Sequence, residues 1–138
     1  MDADLLAAYE RTEYRVTGAD PPFVLRIGAY SAALDAYQAA AGVNGSTFIT
    51  AWNPRSAPTP LEQNVAAMAR LEEALTAHGW RWLHGEGVDP MGDWPGEPSL
   101  FVPGLAERDA VALARRFDQH AVVCAAADAI PRLVLCER

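Results

Sequence analysis

The run Phe48-Ile49-Thr50-Ala51-Trp52 is apolar, β-branched and aromatic, and it stops at Asn53-Pro54. Such a run reads as a strand, and proline ends it because proline has no N–H to give to a sheet. A proline-punctuated loop follows. Thr59, Pro60 and Glu62 then read as the N-cap, first and third positions of a capping box. Leu61, Val65, Met68, Leu71 and Leu75 recur at the helical period, and Gly79 closes the helix. A strand therefore hands over to a helix at a corner that carries amide side chains. Where helices cover a sheet, ligands tend to bind beyond the carboxyl ends of its strands.

The rest of the chain fits around that unit. Residues 3–11 read as a short helix with Leu5, Leu6 and Tyr9 at helical spacing, and residues 13–16 and 23–27 as two strands. Ser31 caps a helix that Gly42 closes. Residues 80–84 and 99–102 read as strands, 105–117 as an amphipathic helix, and 121–125 and 133–136 as strands around a turn. Residues 85–98, crowded with Gly, Pro and four acids around Trp94, read as a long loop. From Thr47 onward the order is strand, helix, strand, strand, helix, strand, the split-βαβ or ferredoxin-like order. We expect an α+β protein, a single domain over residues 1–138, built as a two-layer sandwich with helices on one face. An N-terminal extension and an extra C-terminal strand complete it. The alternative is a three-layer α/β sheet that takes in the earlier strand and helix.

Composition removes several chemistries. All eleven basic residues are arginines, so a Schiff base, a pyridoxal-phosphate anchor and a Walker-type phosphate loop are excluded for want of lysine. A net charge of −7 argues against a nucleic-acid partner, which a basic patch would have to hold. No apolar stretch approaches the ~20 residues of a membrane span. The opening Met1-Asp2-Ala3-Asp4 is acidic where a signal peptide is basic. We expect a cytoplasmic protein with no membrane partner. Cys124 and Cys136 lie inside apolar runs, which suits reduced, buried thiols.

Asn53 ends the opening strand and Asn64 lies on the border of the next helix's buried face, so both amides can point into one corner. An amide fixes a donor and an acceptor, which suits a carboxylate, an amide or a nucleobase edge. The alternative, which the residues favour, is that Asn53 satisfies the turn before Pro54 and Asn64 bonds a nearby backbone carbonyl. Arg55 adds a forked cation beside them. The acids Glu86, Asp89, Asp93 and Glu97 share the long loop with Trp94. Any catalysis there would use Glu97 or Asp89 as general base. Three dispersed histidines form no ligand spacing, and His84-x-Glu86 lacks the Pro-Cys-x-x-Cys partner of the zinc deaminases. We expect no metal and no cofactor. Gly85-x-Gly87 has no third glycine, and Pro90 stands where a nucleotide-loop helix would begin.

Taken together, residues 48–54, Glu62-x-Asn64, the acidic loop ending Trp94-Pro95-Gly96-Glu97-Pro98-Ser99, and Phe117-Asp118-Gln119-His120-Ala121 resemble the bacterial family called domain of unknown function 3293. The resemblance runs from Tyr14 onward, and Ile49-Thr50-Ala51-Trp52-Asn53-Pro54 is its most specific part. It implies a small stand-alone bacterial domain with no established activity, and it carries over no catalytic residue. It also implies that Asn53, Asn64, Trp94, Glu97, Ser99 and Gln119 form one set. The leading expectation is a pocket for a small polar or aromatic molecule, with Trp94 stacking on it. The rival is a protein–protein module or homodimer in which the tryptophans form an apolar patch.

Overall fold

A computed structural model describes every residue except 93, 94, 137 and 138. Its described residues form α1 (Ala3–Arg11), β1 (Glu13–Val16), β2 (Phe23–Leu25), α2 (Ala32–Ala41), β3 (Ser46–Ile49), α3 (Leu61–Ala77), β4 (Leu83–Val88), β5 (Glu97–Pro103), α4 (Glu107–Arg116), β6 (Ala121–Ala125) and β7 (Arg132–Leu135). The strands make one curled antiparallel sheet, half of a barrel, in the order β2-β1-β4-β5-β3-β6-β7. The fold is α+β.

Strand side chains alternate between faces, and here both faces are apolar. Ile49, Leu100, Val102, Val122 and Cys124 pack with Met68, Leu71 and Leu75 of α3 and with Ala110 and Ala114 of α4. Phe48, Phe101, Val123 and Ala125 pack in a second core with Tyr14, Val16, Leu25 and Leu34 of α2. Register lines up one row of this second core across five strands: Leu83, Phe101, Phe48, Val123 and Leu133. The expected two-layer sandwich is therefore corrected: α3 and α4 share a face, and α2 covers the other. The physical reason is that β3 and β6 are buried at every position. Strands of that kind need cover on both sides.

Three local expectations also change. β4 starts at Leu83 rather than residue 80 and runs through Gly85 and Gly87, and β5 starts at Glu97, so the connection shrinks to residues 89–96. α3 begins at Leu61 with Pro60 as N-cap and no side-chain cap. The Thr59 N–H is taken by Asn53 Oδ1 at 3.1 Å, and its hydroxyl donates to the Ala57 carbonyl, so no capping box forms. On α3, Leu61 and Val65 are 66 % and 55 % exposed, and Asn64, 2 % exposed, takes the inward place between them.

Candidate ligand-binding site

Tyr14 of β1 and Phe48 of β3 meet edge to face with ring centroids 5.4 Å apart, although β4 and β5 lie between their strands. The sheet can curl that far because the registered pair between them, Gly85 and Ser99, is small. A Cβ on Gly85 would lie 2.7 Å from the Phe48 ring and 2.9 Å from the Arg15 carbonyl oxygen. The curl leaves a hollow of about 210 Å³. Helix α1 roofs it with Leu5, Ala8, Tyr9 and Thr12, spaced i, i+3, i+4, i+7 along one face.

Three contacts hold the roof. Arg11 grips Asp89 with two hydrogen bonds of 2.8 and 2.7 Å, the Tyr14 hydroxyl donates to the Tyr9 carbonyl at 2.6 Å, and the Tyr9 and Ser56 hydroxyls lie 3.2 Å apart. The Arg11 hydrogen bonds hold the Asp89 carboxyl below its usual range. Burial pushes the Tyr9 and Tyr14 hydroxyls up.

Of the residues singled out in the sequence, Asn53, Asp89, Glu97, Ser99 and Gln119 line the hollow. Asn53 sits in the left-handed region at φ 46°, which asparagine tolerates. Its N–H donates to Asn64 Oδ1 at 2.8 Å, and its Oδ1 accepts from Asn64 Nδ2 at 2.8 Å. Its Nδ2 is then aimed at Glu97 Oε1, 3.3 Å away. Asn64 gives its remaining donor to the Thr59 carbonyl at 3.2 Å, so its amide is spent on the fold and positions Asn53 from behind. Arg55 does not join the set. Its guanidinium stands in solvent, 3.8 Å from the exposed Asp118 carboxylate. Trp94 lies outside the described residues, as does its expected stacking role.

Glu97 is the distinctive group. Desolvation raises its carboxyl above the usual glutamate range, and the single Asn53 hydrogen bond only partly opposes this. Ser99 donates back to the Glu97 carbonyl at 3.1 Å, and Gln119 Nε2 donates to the Trp52 carbonyl at 3.2 Å. As a base Glu97 is the better suited of the two acids, because Asp89 is already committed to Arg11. The sequence shows Leu5, Leu6 and Tyr9 at helical spacing but does not single out Tyr9, Tyr14, Thr50 or Ser56 as lining residues. The spacing of Leu5, Ala8, Tyr9 and Thr12 was the available signal; nothing in it distinguishes roofing a hollow from filling a core.

Among the described residues no group of three or more His, Cys, Asp or Glu side chains could hold a metal ion. No described helix is long and apolar enough to cross a membrane. Cys124 and Cys136 are free and buried, and burial raises both thiols.

Residues 49–122, just over half of the chain, match a family described as Protein of unknown function (DUF3293). The chain belongs to that family. The DUF3293 match takes in Asn53, Asn64, Glu97, Ser99 and Gln119, and starts well after Tyr14. The amide–carboxylate corner lies within the matched residues, and the roof and the β1 wall precede them. No curated protein and no solved structure matches the chain.

Proposed function

We propose that the protein binds one small polar or aromatic molecule in the hollow beneath α1. The observation that carries this reading is the half-buried Glu97 carboxylate, which lines the hollow and is met by one neutral donor, Asn53, at 3.3 Å. Ionised carboxylates left with so little compensation are costly, and a ligand group that completes the shell offsets that cost. The size is informative. An apolar cavity of about 150 Å³ holds benzene, so about 210 Å³ suits a one-ring molecule with a polar substituent. The reading stays at binding. Ser99 turns its hydroxyl to its own strand, and Asp89 is locked in an ion pair.

Gly87 provides the test. A Cβ there would meet only the Thr12 methyl, at 3.8 Å, so Gly87→Val adds bulk to the lining of the hollow from a position where the Cβ has room. Thermal unfolding of parent and variant against a metabolite library should give at least one compound that stabilises the parent alone. At about 100 times its Kd such a compound adds about 2.7 kcal/mol. A library without a hit, or a hit undiminished in Gly87→Val, rejects the reading.

We also infer a ferredoxin-like unit within the sheet. The order β4-β5-β3-β6, with α3 and α4 on one face, supports a ferredoxin-like unit to which β1, β2 and β7 are added. One continuous sheet supports a single domain, and two free buried thiols support a reducing, cytoplasmic setting. A second reading, an interface for a protein partner or a second copy, draws on exposed Leu61 and Val65, one turn apart on α3. Light scattering on Leu61→Glu tests it: a monomeric parent speaks against a homodimer, and a dimer that the variant splits speaks for one.

A further inference from the structure

Charge and hydrogen-bonding capacity around the hollow are lopsided. Among its described lining residues there are two carboxylates and no arginine or histidine. Arg11 neutralises one of them, Asp89, through paired hydrogen bonds, and Glu97 remains as the uncompensated charge. Four of the lining side-chain donors are also turned toward the protein. The Ser99 hydroxyl serves the Glu97 carbonyl, Thr50 the Pro98 carbonyl, Tyr14 the Tyr9 carbonyl, and Gln119 the carbonyls of Trp52 and Phe117. An anionic guest would find few donors and a like charge. Aromatic rings complete the wall: Tyr9, Tyr14, Phe48 and Trp52 line the same space. A cation gains from such faces, and more so where water is excluded.

We propose that the ligand is a small organic cation, an ammonium or amidinium group on a single ring or short hydrocarbon body, with its charge set against the Glu97 carboxylate. This rests on the hollow being a binding site and names the class of molecule it takes. Asn53 holds Glu97 Oε1 from one side, so the cation's N–H groups approach the carboxylate from the cavity. The hydrocarbon body lies along the aromatic wall. Burial already raises Glu97, a cost that an incoming positive charge reverses.

The experiment is an amide-resolved NMR titration of the full chain with three probes of one shape: benzylamine, benzyl alcohol and benzoate. It is run on the parent and on Glu97→Gln, which keeps the shape and the bond to Asn53 but removes the charge. Benzylamine should shift the amides of Asn53, Glu97, Ser99 and Gln119 and bind at least about tenfold tighter than benzyl alcohol, the scale of one charge-assisted hydrogen bond. Glu97→Gln should erase that preference while leaving the spectrum dispersed. Benzyl alcohol or benzoate binding the same amides as well as benzylamine would overturn the cation inference and leave the pocket reading standing. A benzylamine preference that survives Glu97→Gln would overturn it too. No shift from any probe would overturn both readings together.

Discussion

Toward α3 and α4 the sheet meets helices that bury five and two residues respectively, whereas on its other side α2 buries two and α1 none. The first face is closed by hydrocarbon. The second is closed by the core around Val16, Leu25, Leu34 and Phe101, and beside that core α1 spans the hollow. Its cover is fastened by hydroxyls and one ion pair rather than by buried side chains. The difference is one of filling: side chains pack the face under α3, and the hollow persists because α1 buries no residue into it.

The strongest way to break that comparison is to remove equal bulk from the two covers. Leu71 is wholly buried against the sheet, and Leu71→Ala should cost about 2–5 kcal/mol by denaturant unfolding. Leu5 faces the hollow from a helix with no buried residue, and Leu5→Ala should cost less than about 1 kcal/mol. Comparable losses would mean that α1 belongs to the core after all.

Next in size is Asn64→Ala. It strips partners from the Asn53 N–H and the Thr59 carbonyl and leaves Asn53 Oδ1 with the Thr59 N–H alone; a group orphaned away from water costs about 1–3 kcal/mol, less where it is part-exposed. Some of that is recovered by water, so a net loss of about 2 kcal/mol is expected. Binding should weaken as well, because Asn53 loses its aim at Glu97. A variant as stable as the parent would show that the amide pair does not hold the corner.

Gly85 and Gly87 sharpen the comparison, since they lie two apart on one strand and so point to one face. At Gly85 an added methyl meets the Phe48 ring and the Arg15 carbonyl, and Gly85→Ala should cost about 1–3 kcal/mol. At Gly87 it meets only Thr12, and Gly87→Ala should stay within about 1 kcal/mol of the parent. Equal effects would place the two glycines in equally crowded surroundings and remove the hollow between them.

These same residues show how far the sequence could be read. Ser31 and Gly42 announced α2, and the cap forms as written: Ser31 Oγ accepts from Leu34 N at 3.0 Å. Asn53, Glu97 and Gln119 were legible as one set because the family resemblance groups them, and the hollow gathers them. The α3 start was misread because a distant side chain, Asn53, outcompetes the local cap for Thr59. Asn64 lies inward, and Leu61 and Val65 outward, because three hydrogen bonds outweigh helical periodicity in apolar residues. Residues 85–88 looked like loop because glycine carries no side chain to display a strand's alternation. Their strand exists to let Phe48 cross it.

The smallest expected effect is the most specific. Burial raises the folded-state pKa of Glu97 above its ordinary 4.5, so between those values the folded protein holds a proton that the unfolded chain releases. Stability contributed by this site therefore falls as pH rises through that window, and is level below and above it. Tyr9 and Tyr14 titrate far higher, and Asp89, held down by Arg11, titrates lower, so neither confuses the window. Glu97→Gln has no proton to lose. Its stability relative to the parent, measured by urea unfolding from pH 4 to pH 8, should climb through the window and then stay flat. A saturating amine should shrink the gap by favouring the ionised parent. A flat difference across the whole range would mean that Glu97 is already well solvated, and the roofed face would then be as open to water as any loop.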